Sequence, residues 1–121
     1  MEQSRLAKLV KTADRRALYI NQVEHAKARF HALNVFAWEG HIFELTPTFI
    51  AYVILQFMSS QEGGDIPVIL LDKNDEPLLV IDMEEFVDQM QEKHTEALND
   101  YHDRYEQLTL AKSNEELIEV A

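Results

Sequence analysis

The sequence predicts an α+β fold in which two β-hairpins and a short helix are flanked by two long helices. Three observations predict it: a helical apolar repeat at the N-terminus, two pairs of short β-rich segments around turn signals, and two helix-capping signals. The predicted order is α-ββ-α-ββ-α-α. We expect the four strands to form one small antiparallel sheet, with the helix between the hairpins buried against it.

The first long helix is predicted by an apolar repeat free of Pro and Gly from about Ser4 to Leu33. Apolar residues recur there at three- and four-residue steps, which is typical of one helical face. They are Leu6, Leu9/Val10, Ala13, Ala17, Ile20, Val23, Ala26 and Phe30. A helix of roughly 28 residues is about 42 Å long. We therefore expect part of this stripe to pack on something beyond its own fold.

Two segments have the composition of hairpins. Residues 35–45 are rich in β-formers around Glu39-Gly40, a pair typical of a tight turn. Residues 66–81 contain two apolar runs separated by the polar residues 72–76, which predicts a second hairpin. Pro67 fits an edge strand, because proline cannot donate a backbone hydrogen bond.

The helix between the hairpins begins at a capping signal. Thr46 is the predicted N-cap, and Pro47 occupies the first helical position. The helix is predicted to reach about Met58. Because it is apolar on nearly every side, we expect it to be the most buried element.

The last long helix has the clearest start. Asp82 is the predicted N-cap, and Glu85 stands three residues later, as in a capping box. Ile81 and Phe86 have the spacing of a hydrophobic staple. The helix is predicted to end near Lys112.

A heptad-like seam follows this capping signal, as in a coiled coil. Its members are Met83, Val87, Met90, His94, Ala97, Tyr101 and Tyr105. Tyr105 follows Tyr101 by four residues, which is a stutter in the repeat. Beyond this helix, Ser113 and Glu116 predict a second capping box and a short helix to Val120.

Length and composition are those of one ordinary globular domain. The chain has 121 residues, of which 46% are apolar. Within it we distinguish a basic helix (1–33), a hairpin-helix-hairpin core (34–81) and an acidic helical segment (82–121). The absence of cysteine excludes disulfides and thiol chemistry and fits a reducing cytoplasm. The N-terminus lacks the apolar segment of a signal peptide.

Charge is divided unevenly along the chain. Residues 1–33 carry seven Lys/Arg and three Asp/Glu, whereas residues 34–121 carry four and nineteen. A basic helix and an acidic remainder attract each other, in one molecule or between two. This favours an interaction or assembly protein over an enzyme. The predicted charged contact consists of Arg5, Lys8, Arg15 and Arg16.

Catalytic and metal motifs are not recognisable. The five histidines do not show the His-Glu-x-x-His spacing of a zinc site on a helix. The sequence has no Gly-x-Ser-x-Gly nucleophile elbow, and its three glycines do not form a phosphate-binding loop. We predict no catalytic residue, no cofactor and no metal ligand. His94 and His102, eight residues apart on the last long helix, are a weak candidate for a metal site. The simpler interpretation is that His94 occupies a seam position and His102 lies on the solvated face of the helix. His41 is predicted to be an exposed strand residue, and residues 72–76 a solvated turn.

Nucleic acid and membrane partners are disfavoured. Only residues 5–16 could attract phosphates, and no aromatic side chain is available there for base stacking. The longest apolar stretch, 49–58, is too short to cross a bilayer.

Three segments resemble small virion or assembly proteins of large contractile-tailed bacteriophages. They are residues 40–50 (GHIFELTPTFI), 68–72 (VILLD) and 82–86 (DMEEF), the last opening an acidic, Tyr-bearing helix. The resemblance extends over residues 40–112. It implies a non-enzymatic role in building a head or tail, as scaffold, chaperone or minor structural component, in the host cytoplasm or the virion.

From the residues themselves we expect a protein that self-associates or docks onto larger assembly components through its long helices. The seam (Met83, Val87, Met90, Ala97, Tyr101) should meet the stripe (Leu6, Val10, Ala13, Ala17, Ile20), within or between chains. Two alternatives stay open. One is an acidic regulator that inhibits a host nucleic-acid enzyme, and the other is a metal-dependent enzyme that uses His94 and His102.

Overall fold

The computed structural model describes residues 2–62 and 66–111 and has the predicted α+β class. Its elements are α1 (Glu2–Leu33), β1 (Val35–Trp38), β2 (His41–Glu44), α2 (Pro47–Glu62), β3 (Val68–Leu71), β4 (Pro77–Val80) and α3 (Met83–Leu110). The predicted capping box at Ser113 and the short helix after it lie outside the described residues.

The chain divides into two compact units. The hairpin unit comprises residues 32–98, and the helix-pair unit comprises residues 1–31 and 99–121. The first part of α3 therefore belongs to the hairpin unit, and the rest of this helix belongs to the helix-pair unit.

Each hairpin forms its own two-stranded antiparallel sheet, so the expected four-stranded sheet is wrong. In the first hairpin Trp38 pairs with His41. Glu39 (φ 49°) and Gly40 (φ 82°) form the two-residue turn, and positive φ at both positions suits the twist of a tight hairpin. The hairpins are nevertheless joined, because the backbone N–H of Lys73 donates to the carbonyl of Ile42 at 2.8 Å.

Both predicted N-caps are confirmed. Thr46 Oγ1 accepts from the N–H of Phe49 at 3.1 Å, and Asp82 Oδ1 accepts from the N–H of Glu85 at 3.1 Å. Each bond satisfies a backbone donor that the first helical turn leaves without a partner. The predicted staple is wrong, however, since Ile81 is 76% exposed while Phe86 is buried.

The core of the hairpin unit forms around the first half of α3. The ring of Phe86 makes edge-on contacts with Phe36, Trp38 and Phe43, at centroid separations of 5.0, 5.3 and 5.4 Å. These geometries are the favoured ones for aromatic pairs. The other buried apolar residues of this core are Leu45, Val53, Val68, Leu70, Val80, Met83, Val87 and Met90.

The prediction that α2 is the most buried element is wrong. Val53 is its buried apolar residue, whereas Tyr52, Leu55 and Met58 are each about half exposed. Two small sheets cover only one side of this helix, so apolar residues on its other side stay in contact with solvent. The first half of α3 is the buried helix instead.

In the helix-pair unit α1 and α3 run antiparallel. Phe30 contacts Tyr101, with ring centroids 5.5 Å apart, and Ala26 and Leu108 are buried between the helices. Within the described residues, no helix combines the length and the hydropathy that crossing a membrane requires.

Candidate interaction surfaces

The first part of the predicted apolar stripe of α1, from Leu6 to Ile20, is exposed. The exposed fractions of Leu6, Leu9 and Val10 are 61%, 67% and 56%. Ala13, Ala17 and Ile20 are exposed as well. None of the predicted stripe residues from Leu6 to Ile20 is covered by the described part of the chain.

Helix geometry explains why the predicted stripe does not continue into a single packed face. A three-residue step rotates a side chain by about 300°, which is roughly 60° short of a full turn. Three such steps separate Ala17 from Ala26, so these two residues lie on opposite sides of α1. Val23 and Ala26 pack in the helix-pair core and Phe30 contacts Tyr101, whereas the stripe from Leu6 to Ile20 is exposed.

The predicted seam of α3 is divided between two cores. Met83, Val87 and Met90 are buried in the hairpin unit, and Ala97 is buried as well. Tyr101 packs in the helix-pair core. Tyr105 is about 40% exposed, and its hydrogen bond to Tyr19 is the main cause, before burial, of the raised pKa of Tyr19.

The predicted charged contact has two parts. Arg5 and Lys8 are exposed. Arg15 Nη2 donates to the carbonyl of Ala111 at 2.7 Å, close to the end of α3, where carbonyl groups without helical partners carry partial negative charge. Arg16 lines a cleft of about 410 Å³ with Arg15, Thr12, Tyr19, Leu108, Thr109 and Ala111.

A charged cluster that the sequence analysis missed joins α1 to α3. Arg29 Nε donates to Asp100 Oδ2 at 3.0 Å, and Arg104 Nε lies 3.3 Å from the same oxygen. The hydrogen bond from Arg29 is the main reason that the pKa of Asp100 lies below its ordinary value, and Arg104 lowers it further. The opposite charges of the two helices indicated that such a contact could form, but the sequence alone did not show that Asp100 pairs with Arg29 and Arg104.

The second hairpin presents an apolar surface to solvent, which the sequence analysis also missed. Ile69 and Leu79 are direct cross-strand partners and are 60% and 51% exposed. Leu71 and Pro77, the next pair on the same face, are exposed too. We call this surface the outer face; its residues are Pro67, Ile69, Leu71, Pro77, Leu79 and Ile81. A hairpin with one wet side normally alternates polar and apolar residues, and the lack of alternation here was the available signal.

An acidic cleft adjoins this outer face. It measures about 380 Å³, and Ile66, Ile81, Asp82 and Glu84 line it together with Phe57, Ser60 and Met83. Two carboxylates beside two exposed isoleucines can accommodate a cationic side chain whose stem is apolar.

His41 is not the exposed strand residue that was predicted. Its Nδ1 lies 2.8 Å from Asp72 Oδ2, and both side chains are largely shielded from solvent. Asp72 Oδ1 accepts from the backbone N–H groups of Asn74 and Glu76 at 2.8 and 2.9 Å. Burial opposes ionisation, but the hydrogen bonds from Glu76 and His41 outweigh it and lower the pKa of Asp72. The turn is therefore built around a shielded carboxylate and is not simply solvated.

His41, Asp72 and Glu76 also place three potential metal-ligand atoms within 4.8 Å of one another. The bonds that Asp72 makes to its own turn and to His41 already explain this arrangement. We therefore interpret the cluster as a structural contact that joins the two hairpins, next to the hydrogen bond between the backbone groups of Lys73 and Ile42.

The histidine pair considered as a metal candidate has separate surroundings. His94 Nδ1 bonds to Asn34 Oδ1 at 2.8 Å, and Asn34 Nδ2 donates to the carbonyl of Leu45 at 2.8 Å. His102 is exposed on α3 beside Asp103 and Glu106. His94 thus helps to hold the chain between α1 and β1 in the hairpin unit.

No protein-family model matches this chain, and neither a curated protein nor a solved structure is significantly similar to it.

Proposed function

We propose that this chain is a non-enzymatic interaction protein that self-associates through the first half of α1. The observation that carries the proposal is the exposed stripe of Leu6, Leu9 and Val10 beside a run of cationic residues. Scattered exposed apolar residues are ordinary, but a contiguous stripe on one helical face is typical of a protein interface.

The energetics of α1 support a partner for this segment. Most of the stability of a helix in a protein comes from tertiary packing, and short helices without it are marginal in water. The second half of α1 packs on α3, whereas the side chains of residues 4–17 are all exposed. A partner that covers the stripe supplies the packing that these turns lack.

The resemblance to assembly proteins of tailed bacteriophages gives this proposal its biological setting. We propose that the self-associated form acts in building a phage head or tail, as scaffold, chaperone or minor structural component. Opposite charges on the two parts of the chain then set the orientation of subunits more than the strength of their association.

The test is the molar mass in solution, measured by light scattering over a wide range of protein concentration. We expect masses above the 14.1 kDa of one chain at low salt. Salt raised from about 0.05 to about 1 M should weaken association without abolishing it, because screening removes the electrostatic part only. A single-chain mass at every salt and protein concentration contradicts the proposal.

Matched variants show whether α1 carries the association. Leu6→Gln with Val10→Gln keeps helix propensity and removes the large apolar groups, so we expect monomers of unchanged circular dichroism. Leu55→Gln is the control, because Leu55 is equally exposed but lies on α2. Equal association of both variants and the wild type contradicts a role for α1.

A further inference from the structure

The outer face of the second hairpin is apolar at every position. Val68, Leu70 and Val80 point into the core of the hairpin unit. The alternate residues, which belong to the outer face, are apolar as well and exposed to solvent. An isolated two-stranded sheet is only marginally stable. Leaving one of its sides apolar and exposed to water forgoes the free energy that burial of that side would provide. The pattern is that of a surface covered by a partner.

Charge indicates what kind of partner fits. The hairpin unit carries thirteen Asp/Glu and two Lys/Arg, and residues 32–72 contain no lysine or arginine. Asp75, Glu76, Asp82 and Glu84 stand in sequence at the two ends of the outer face, with Lys73 as the single cation there. A second hairpin unit would be repelled, whereas a cationic apolar segment would be attracted.

The first half of α1 has these properties. Residues 5–16 contain five basic residues and one acidic residue. At about 100° per residue, Arg5 and Arg16 border the exposed stripe on one side, which lets them reach carboxylates at the rim of an apolar contact. Two α1 segments would repel each other for the same reason that two hairpin units would.

The dimensions of the two surfaces also agree. From Leu6 to Ala17 the stripe extends about 16 Å along the helix axis. From Pro67 to Leu71 the outer face extends about 13 Å along the strands. A single amphipathic helix therefore covers the length of the hairpin, with one end beside the cleft formed by Ile66, Ile81, Asp82 and Glu84.

We propose that the outer face of the second hairpin receives the first half of α1 from a second copy of this chain. The inference rests on the proposed function, that the chain self-associates through α1, and adds the surface on which α1 docks. The contact is heterologous, because two different surfaces meet. It closes into a reciprocal dimer when two chains exchange α1 segments, or continues as a chain of subunits when they do not.

A mixing experiment tests this directly. One partner is the helix variant, Leu6→Gln with Val10→Gln, which retains an intact outer face. The other is the face variant, Ile69→Thr with Leu79→Thr, which retains an intact α1. Thr keeps β propensity at both exposed positions, and circular dichroism together with Trp38 fluorescence verifies that the hairpin unit is folded. Masses are measured for each variant alone and for the equimolar mixture.

We expect each variant alone to lose self-association by at least about tenfold in affinity. The mixture should recover a 1:1 complex, because the intact α1 of one variant meets the intact outer face of the other. Leu55→Gln should associate like the wild type. Mixing either variant with itself at the same total concentration should give only single chains.

Other outcomes overturn the inference and separate it from the proposed function. A face variant that associates like the wild type, beside a monomeric helix variant, shows that α1 docks elsewhere, on another α1 or on α2. Two monomeric variants that fail to form a complex when mixed overturn the heterologous contact. A wild-type chain that is monomeric at every salt and protein concentration overturns both proposals together. Burial of α1 within a single chain, independent of protein concentration, does the same.

Discussion

The hairpin unit and the helix-pair unit are stabilised in different ways. In the hairpin unit, Phe86 and its aromatic neighbours form part of a core with eleven buried apolar residues. In the described part of the helix-pair unit, the apolar core has two buried residues, Ala26 and Leu108, with half-buried side chains around them. Arg29, Asp100 and Arg104 add charged hydrogen bonds to that small core. The comparison indicates that the hairpin unit rests mainly on apolar packing, whereas the helix-pair unit has a smaller apolar core supplemented by charged hydrogen bonds.

Fluorescence can follow the two units separately. Trp38 is the only tryptophan and lies in the hairpin unit, packed on Phe86. Three of the four tyrosines, Tyr19, Tyr101 and Tyr105, lie in the helix-pair unit. Trp38 fluorescence therefore reports on the hairpin unit, and tyrosine fluorescence reports mainly on the helix-pair unit.

The largest effect is expected from Phe86→Ala. It removes a fully buried ring from the centre of the aromatic cluster, and truncations of this kind cost about 3–5 kcal/mol. Urea unfolding followed by Trp38 fluorescence should show the loss. If the cost is below about 1 kcal/mol, the hairpin unit does not depend on this cluster.

The sequence predicted the features that depend on neighbouring residues. The caps at Thr46 and Asp82 and the turn at Glu39-Gly40 each involve groups within a few positions of one another, so local chemistry determines them. Long-range pairing was harder to predict. Nothing near Asp72 in the sequence indicates that its carboxylate bonds to His41, thirty-one positions earlier.

Apolar patterns did not predict burial reliably. They indicate that a face of a helix or strand is suited to packing, but not which element covers it. The apolar residues on all sides of α2 predicted burial, yet two separate small sheets leave Tyr52, Leu55 and Met58 exposed. The same ambiguity affects β3, whose apolar run predicted a strand but did not indicate that Ile69 and Leu71 are exposed. The candidate surfaces are the places where these patterns lack a partner within the described chain.

A smaller effect is expected from Leu108→Ala, and it should fall on the other unit. Leu108 is almost fully buried against Ala26, so its truncation should cost about 2–3 kcal/mol, at the low end of the range because half-buried neighbours can close the cavity. Tyrosine fluorescence and helical circular dichroism should report the loss, with the Trp38 signal retained. Simultaneous loss of both signals would indicate that the units unfold together.

Gly40→Ala tests how much the turn of the first hairpin contributes to the stability of the hairpin unit. A Cβ atom at Gly40 would meet no atom within 4 Å, so the effect isolates the cost of placing a side chain at φ +82°. That cost is about 1 kcal/mol. The Trp38 unfolding curve should shift accordingly, since Trp38 pairs with His41 across this turn. An unchanged curve would mean that the turn relaxes to another geometry.

The smallest predicted effect tests the charged bonds of the helix-pair unit. Asp100→Asn removes the carboxylate that accepts from Arg29 and Arg104, and such partly exposed pairs contribute about 0.5–1 kcal/mol. Because the pKa of Asp100 is lowered by folding, its contribution is present above the ordinary value of 3.8 and is lost as the pH falls through the folded-state pKa. The difference in unfolding free energy between wild type and variant should therefore be seen by tyrosine fluorescence at about pH 7 and should shrink as the pH is lowered below 3.8. Asp103→Asn is the matched control, because the Asp103 side chain is exposed beside His102 on the same helix. A difference that stays the same in acid, or that Asp103→Asn reproduces, would show that net charge, and not the Arg29–Asp100 bond, stabilises the helix pair.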